Sequence, residues 1–90
     1  MPLDTNQMAE FIYENMPEAV VVQVFDTALR RARWRKYTVW VGVETPLGRL
    51  IVEHTFEWNN HEGFSYGGVI NTLRNRIRQA ITEKEKHGNQ

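Results

Sequence analysis

The chain has 90 residues, and 11 Lys and Arg against 11 Asp and Glu leave a formal net charge of zero. That length predicts a single domain over residues 1–90 with one thin core, burying about 60–65% of the unfolded surface. A 41% hydrophobic and 24% charged composition excludes a disordered chain, and the lack of cysteine excludes disulfides, thiolate metal sites and thiol nucleophiles.

A first helix is expected from about Thr5 to Asn15. Asp4 is a good N-cap with Gln7 three residues on, and Leu3 can staple onto Met8. Met8, Phe11, Ile12 and Met16 follow helical spacing, and Pro17 closes the element.

Residues 18–35 read two ways. Val20, Val21, Val22, Val24 and Phe25 have the β-branched and aromatic richness of a strand. Val21, Val24, Phe25, Ala28, Leu29 and Ala32 also fall on one helical stripe, among good helix formers. The expectation is a second helix over about 18–34, with a strand at 19–25 followed by a short helix as runner-up.

Next comes an antiparallel hairpin, about 37–44 and 49–57. Tyr37, Val39, Val41 and Val43 alternate with Thr38, Trp40, Gly42 and Glu44, and Leu50, Val52, His54 and Phe56 alternate with charged and polar neighbours. Thr45-Pro46-Leu47-Gly48 is the turn. Placing Glu44 opposite Arg49 aligns Val43 with Leu50, Val41 with Val52, Val39 with His54 and Tyr37 with Phe56, so one face is apolar. The other face then pairs Thr38 with Thr55 and Lys36 with Glu57. Trp40 and Ile51 fall on that second face, exposed unless another element covers them.

Residues 58–68 read as a polar connection, and a last helix runs from about Ser65–Gly68 to Lys86 on a stripe of Val69, Ile70, Leu73, Ile77, Ala80 and Ile81. Residues 87–90 are expected to fray. The fold class is α+β, in the order α-α-β-β-α with the hairpin packed on helices. The helix–hairpin–helix portion resembles double-stranded-RNA-binding domains. Those have a third strand and a basic start to the last helix, whereas here the helix begins Gly67-Gly68-Val69-Ile70, so no function is carried over.

The neutral total conceals segregated charge. Residues 1–29 hold Asp4, Glu10, Glu14, Glu18 and Asp26 and no Lys or Arg, whereas 30–36 hold Arg30, Arg31, Arg33, Arg35 and Lys36. Acids then predominate through residue 62, and bases again to the C-terminus, with Arg74, Arg76 and Arg78 on the last helix.

The candidate partner- or nucleic-acid-binding residues are Arg30, Arg31, Arg33, Trp34, Arg35, Lys36, Trp40, Arg74 and Arg78. Clustered Arg beside Trp34 suits phosphate contact and base stacking, or an acidic protein surface. His54, Glu57, Asn59, Asn60, His61 and Glu62 crowd together but lack a metal-ligand spacing, and His54 reads as a core histidine. Ser65-Tyr66-Gly67-Gly68 reads as a helix entry, since it matches no phosphate-loop pattern.

No nucleophile–base pair, metal set or cofactor motif is present, so an enzyme, a metal and a cofactor are not expected. The first expectation is a small interaction protein that docks on a protein partner, as a regulator or inhibitor of a larger complex. The alternative is a nucleic-acid-binding module using the run from Arg30 to Lys36, disfavoured by zero net charge. A third is a homodimer in which the acidic first helix meets the basic run. The longest apolar run, Ala19 to Val22, is far short of a membrane span. The opening Met-Pro-Leu-Asp-Thr lacks the basic and apolar regions of a signal peptide, so a cytoplasmic location is expected.

Overall fold

The structure is a computed structural model that describes residues 3–31, 33–59 and 64–88. Its order is α1 (Thr5–Asn15), β1 (Ala19–Ala28), β2 (Trp34–Thr45), β3 (Gly48–Asn59) and α2 (Tyr66–Gly88). The three strands form one antiparallel sheet in the order β1-β2-β3, so this is a small α+β fold with one helix before the sheet and one after it.

α1 starts as its sequence dictates. The Asp4 carboxylate accepts from the Asn6 and Gln7 backbone N–H groups, and Met8 and Ile12 turn inward. Met16 ends the helix, its N–H donating to the Ile12 carbonyl.

The predicted second helix over 18–34 is replaced by β1 and a loop. The runner-up was right about a strand, which runs on to Ala28, but no short helix follows it among the described residues. β2 is 12 residues long and would otherwise leave one whole edge unpaired. β1 fills that edge, from Ala19 opposite Val43 to Ala28 opposite Arg35. As a strand, the segment turns Val22, Val24 and Asp26 toward the helices and Val21, Gln23 and Phe25 away, so both sets of apolar side chains find neighbours. The helical stripe was a coincidence of spacing that pairing overrides. The β1 strand also supplies the third strand whose absence set the chain apart from double-stranded-RNA-binding domains; the basic start of the last helix is still missing.

The hairpin holds the predicted register in every pair, lengthened to Trp34 opposite Asn59 and Thr45 opposite Gly48. Pro46 and Leu47 form the tip, and Gly48 takes φ 109°, a conformation that strains any residue with a Cβ. The Thr45 hydroxyl donates to the Gly48 carbonyl and accepts from Leu47 N–H, closing the turn.

The core lies between the sheet and the two helices. Met8 and Ile12 of α1, its C-cap Met16, and Val69, Ile70, Leu73 and Ile77 of α2 meet Val22, Tyr37, Val39, Val41, Val43, Leu50 and Val52. At one end a chain of rings joins the elements: Phe11–Tyr66 at 5.2 Å, Tyr66–Phe64 at 5.1 Å, Phe64–Phe56 at 5.2 Å and Phe56–Tyr37 at 5.4 Å. Phe64 and Trp58 lie in the stretch expected to be polar, and both pack against the core. α2 begins at Tyr66 and stays helical through Gly88.

Gly42 is a second place where only glycine fits. A β-bulge between Ala19 and Val21 brings the Val21 side chain over Gly42, where an added Cβ would lie 2.6 Å from Val21 Cγ1. Gly42→Ala is expected to destabilise the fold by about 1–3 kcal/mol. Val21→Ala in the same chain should recover most of that loss, a coupling measurable by denaturant unfolding of the full mutant cycle.

Candidate functional site

Strand alternation and the observed register define the face of the sheet that carries no helix. Across it lie Val21, Gly42 and Ile51 in one row, Gln23, Trp40 and Glu53 in the next, then Phe25, Thr38 and Thr55, then Thr27, Lys36 and Glu57. Trp34 lies beyond them at one end, and the Glu44–Arg49 pair at the other.

Four large apolar residues of the sheet are left open to solvent: Val20 at the bulge, Phe25 at 44%, Trp40 at 41% and Ile51 at 66% exposure. Phe25 and Trp40 form an edge-to-face pair at 4.9 Å, so the two rings pack on each other across β1 and β2. Ala19–Ala28 joins the sheet as β1, and among the described residues no other element covers Trp40 and Ile51.

The predicted basic run does not act as one surface. Arg30 and Arg33 sit in the loop between β1 and β2, exposed, with Arg33 at φ 70°. Arg31 lies 4.8 Å over the Trp34 ring and donates to Glu57 at 2.8 Å. Lys36 is exposed on the open face, in the row of Thr27 and Glu57. Arg35 points to the opposite, helix-covered face, where its Nε donates to Asp26 at 2.7 Å. That hydrogen bond holds the Arg35 guanidinium protonated still more firmly than usual. The described residues of this segment form a loop and the start of β2, not the helix expected over 18–34.

Arg74 and Arg78 are remote from the open face. An Arg74 Nη donates to the Asn15 carbonyl at the end of α1, supplying the cation that the last turn of that helix lacks. Both arginines line a cleft of about 120 Å³ with Glu18 and Ile77. Arg74 thus ties the two helices together.

His54 lies on the helix-covered face opposite Val39, stacked on Phe56 at 5.4 Å. Its Nδ1 is buried without a hydrogen-bond partner among the described residues. Burial, assisted by the nearby Arg76 charge, holds the imidazole pKa below its ordinary value. The unfolded chain therefore takes up a proton first, so stability is greatest above about pH 6.5 and falls as the pH drops below it. His54→Leu should flatten that acid-side decline in melting temperature between about pH 6.5 and 5, measured beside the parent protein.

His61 and Glu62 of the polar cluster lie outside the described residues, as does Asn60. Among the described residues, no three His, Cys, Asp or Glu side chains converge as a metal site would require, and no helix is long and apolar enough to cross a membrane.

Sequence reasoning singled out Trp34, Lys36, Trp40 and Ile51, all on the open face. It missed Val21, Gln23 and Phe25, whose alternation shows only when 19–28 is read as a strand. Glu53 was legible as the residue opposite Trp40. No protein-family model matches this chain, no curated protein is similar to it at a significant level, and no solved structure matches its fold.

Proposed function

We propose that the protein is a small non-enzymatic interaction module that docks on a protein partner through the helix-free face of its sheet, as a regulator or inhibitor of a larger assembly. The observation that carries this reading is the bare apolar patch of Phe25, Trp40 and Ile51, bordered by Gln23, Thr38, Thr55 and Glu53. An apolar centre with a polar rim is the anatomy of a protein-binding surface, and a rigid Trp is a frequent anchor.

The test uses the native chain, Trp40→Ala and Ile51→Glu as parallel baits. A protein retained by the native chain is purified, and its affinity for all three is measured. A loss of about 30-fold or more with each variant, at unchanged melting temperature, supports the reading. Undiminished binding by both variants sinks it.

A nucleic-acid reading has one observation in its favour: Arg30 and Arg33 are exposed in a loop that leads into Trp34. Its scope is limited, because Arg31 and Arg35 are already paired with Glu57 and Asp26. With Arg30, Arg33 and Lys36 as the phosphate contacts, the salt dependence on duplex DNA is no steeper than a log–log slope of about −3. Absence of binding to duplex or single-stranded probes at low salt removes this reading.

A further inference from the structure

We infer that the partner docks by adding an extended strand to the free edge of β3, with a basic side chain set beside Glu53. This rests on the reading of the chain as a protein-docking module and names the part of the partner that is bound.

The direction of each backbone group follows from the register. The Leu29 N–H donates to the Trp34 carbonyl, so even-numbered residues of β2 turn their backbone groups toward β1 and odd-numbered ones toward β3. Leu50, Val52 and His54 lie opposite Val43, Val41 and Val39, and are therefore bonded to β2. Arg49, Ile51, Glu53 and Thr55 point their N–H and C=O groups out of the sheet, where no described residue bonds to them. Such a row is completed by the backbone of another extended segment.

The two edges of the sheet differ. β1 is guarded: the Tyr13 hydroxyl accepts its outward Val22 N–H at 2.9 Å, a bulge breaks its register near Ala19, and Asp26 is an inward charge paired with Arg35. β3 runs without a bulge from Gly48 to Asn59. Its Ile51, at 66% exposure, is the most open large apolar side chain among the described residues.

The position of α2 favours a lone strand over a second copy. α2 packs on β3. Pairing two copies through β3 would set two such helices above strands about 5 Å apart, whereas packed helices need about 8–10 Å. A lone strand brings no helix. With a width of about 10 Å, α2 also overhangs the edge and would cover one face of the added strand.

Charge fixes the chemistry of that strand. Arg49 is paired with Glu44 and Glu57 with Arg31, which leaves Glu53 as the β3 carboxylate without a cation among the described residues. A Lys or Arg beside Glu53 completes the row, and an apolar residue beside Ile51 covers it. On the opposite face Arg76 of α2 lies near His54, so side chains of the added strand on that side are uncharged or acidic. The partner segment thus alternates, with its cation on the helix-free side.

The probe is an acetylated and amidated peptide of about eight residues, alternating Val and Thr around one central Lys, beside a twin with Glu in place of that Lys. Binding of the Lys peptide is expected to slow hydrogen exchange at the outward amides of Ile51, Glu53 and Thr55. The amides of Leu50, Val52 and His54, already bonded to β2, should change little. Glu53→Lys should weaken the Lys peptide by about tenfold or more and reverse the preference between the twins. Thr55→Pro removes an N–H that β2 does not use, and should abolish binding while the chain stays folded. No slowing of exchange at millimolar peptide, or equal affinity for the twins in both proteins, overturns the inference. So does a dimer of the chain alone that Thr55→Pro dissociates, which would assign the edge to a second copy. If the edge amides stay unprotected while Trp40→Ala and Ile51→Glu still weaken a protein partner, the strand falls and the docking face stands. If the edge binds the peptide while those two substitutions leave the partner's affinity unchanged, the face falls and the edge stands.

Discussion

Tyr37→Ala is expected to move the urea unfolding midpoint far below that of the parent protein. Tyr37 is completely buried, the largest side chain in the core to be so. It stacks on Phe56, and its hydroxyl accepts the Leu3 N–H at 2.9 Å, so it ties the N-terminal segment to the hairpin. Truncating a buried aromatic costs about 3–5 kcal/mol, and a domain of this size has only about 5–13 kcal/mol in total. Tyr37→Phe separates the two contributions. It keeps the ring and loses one hydrogen bond, so its cost should stay near 0.5–1.5 kcal/mol. Urea unfolding followed by circular dichroism distinguishes the two variants directly. A Tyr37→Ala protein that unfolds cooperatively with near-parental stability would mean that the ring chain does not hold the sheet to the helices.

The second large effect is expected at Leu73. It is completely buried in α2, between Val69 and Ile77 on the stripe that meets the sheet. Among the described side chains of α2, Leu73 is the most deeply buried, which makes it the main anchor of the 23-residue helix. Leu73→Ala is expected to cost about 2–5 kcal/mol and to lower the melting temperature by at least about 10 °C. The loss should be local at first: amides of α2 should exchange faster than those of β2, which has a strand partner on each side. Equal acceleration of exchange throughout the chain would instead place α2 and the sheet in one cooperative unit.

The parts of the fold that were legible in the sequence are those where local chemistry and tertiary packing agree. Asp4 caps α1 because its carboxylate reaches the first free N–H groups, whatever else the chain does. The hairpin register follows from Glu44 meeting Arg49 and from keeping the Val side chains on one face, both of which a one-residue slip would lose. The segment 19–28 was not legible, since its valines satisfy a helical and an extended spacing alike. What decides between them is the unpaired edge of β2, a partner far away in sequence.

The same ambiguity hid half of the candidate site. Trp40 and Ile51 were visible as the second face of the hairpin, while Phe25 and Val21 join them only once β1 is in the sheet. The basic run misled in the opposite way. Five cations that look like one surface do not form one: strand alternation sends Arg35 to Asp26 on one face, and Arg31, in the loop, is drawn to Glu57 and Trp34. Spacing along the chain reports the number of charges. It does not report which of them a fold has already paired.

The central claim is that the helix-free sheet face is a docking surface for a protein partner. The most direct measurement is a titration of the isotope-labelled chain with the protein that the native chain retains, followed by backbone amide chemical shifts. The account predicts shifts clustered at Gln23, Phe25, Thr38, Trp40, Ile51 and Glu53. Shifts centred on Arg30 and Arg33 or on α2 would contradict it.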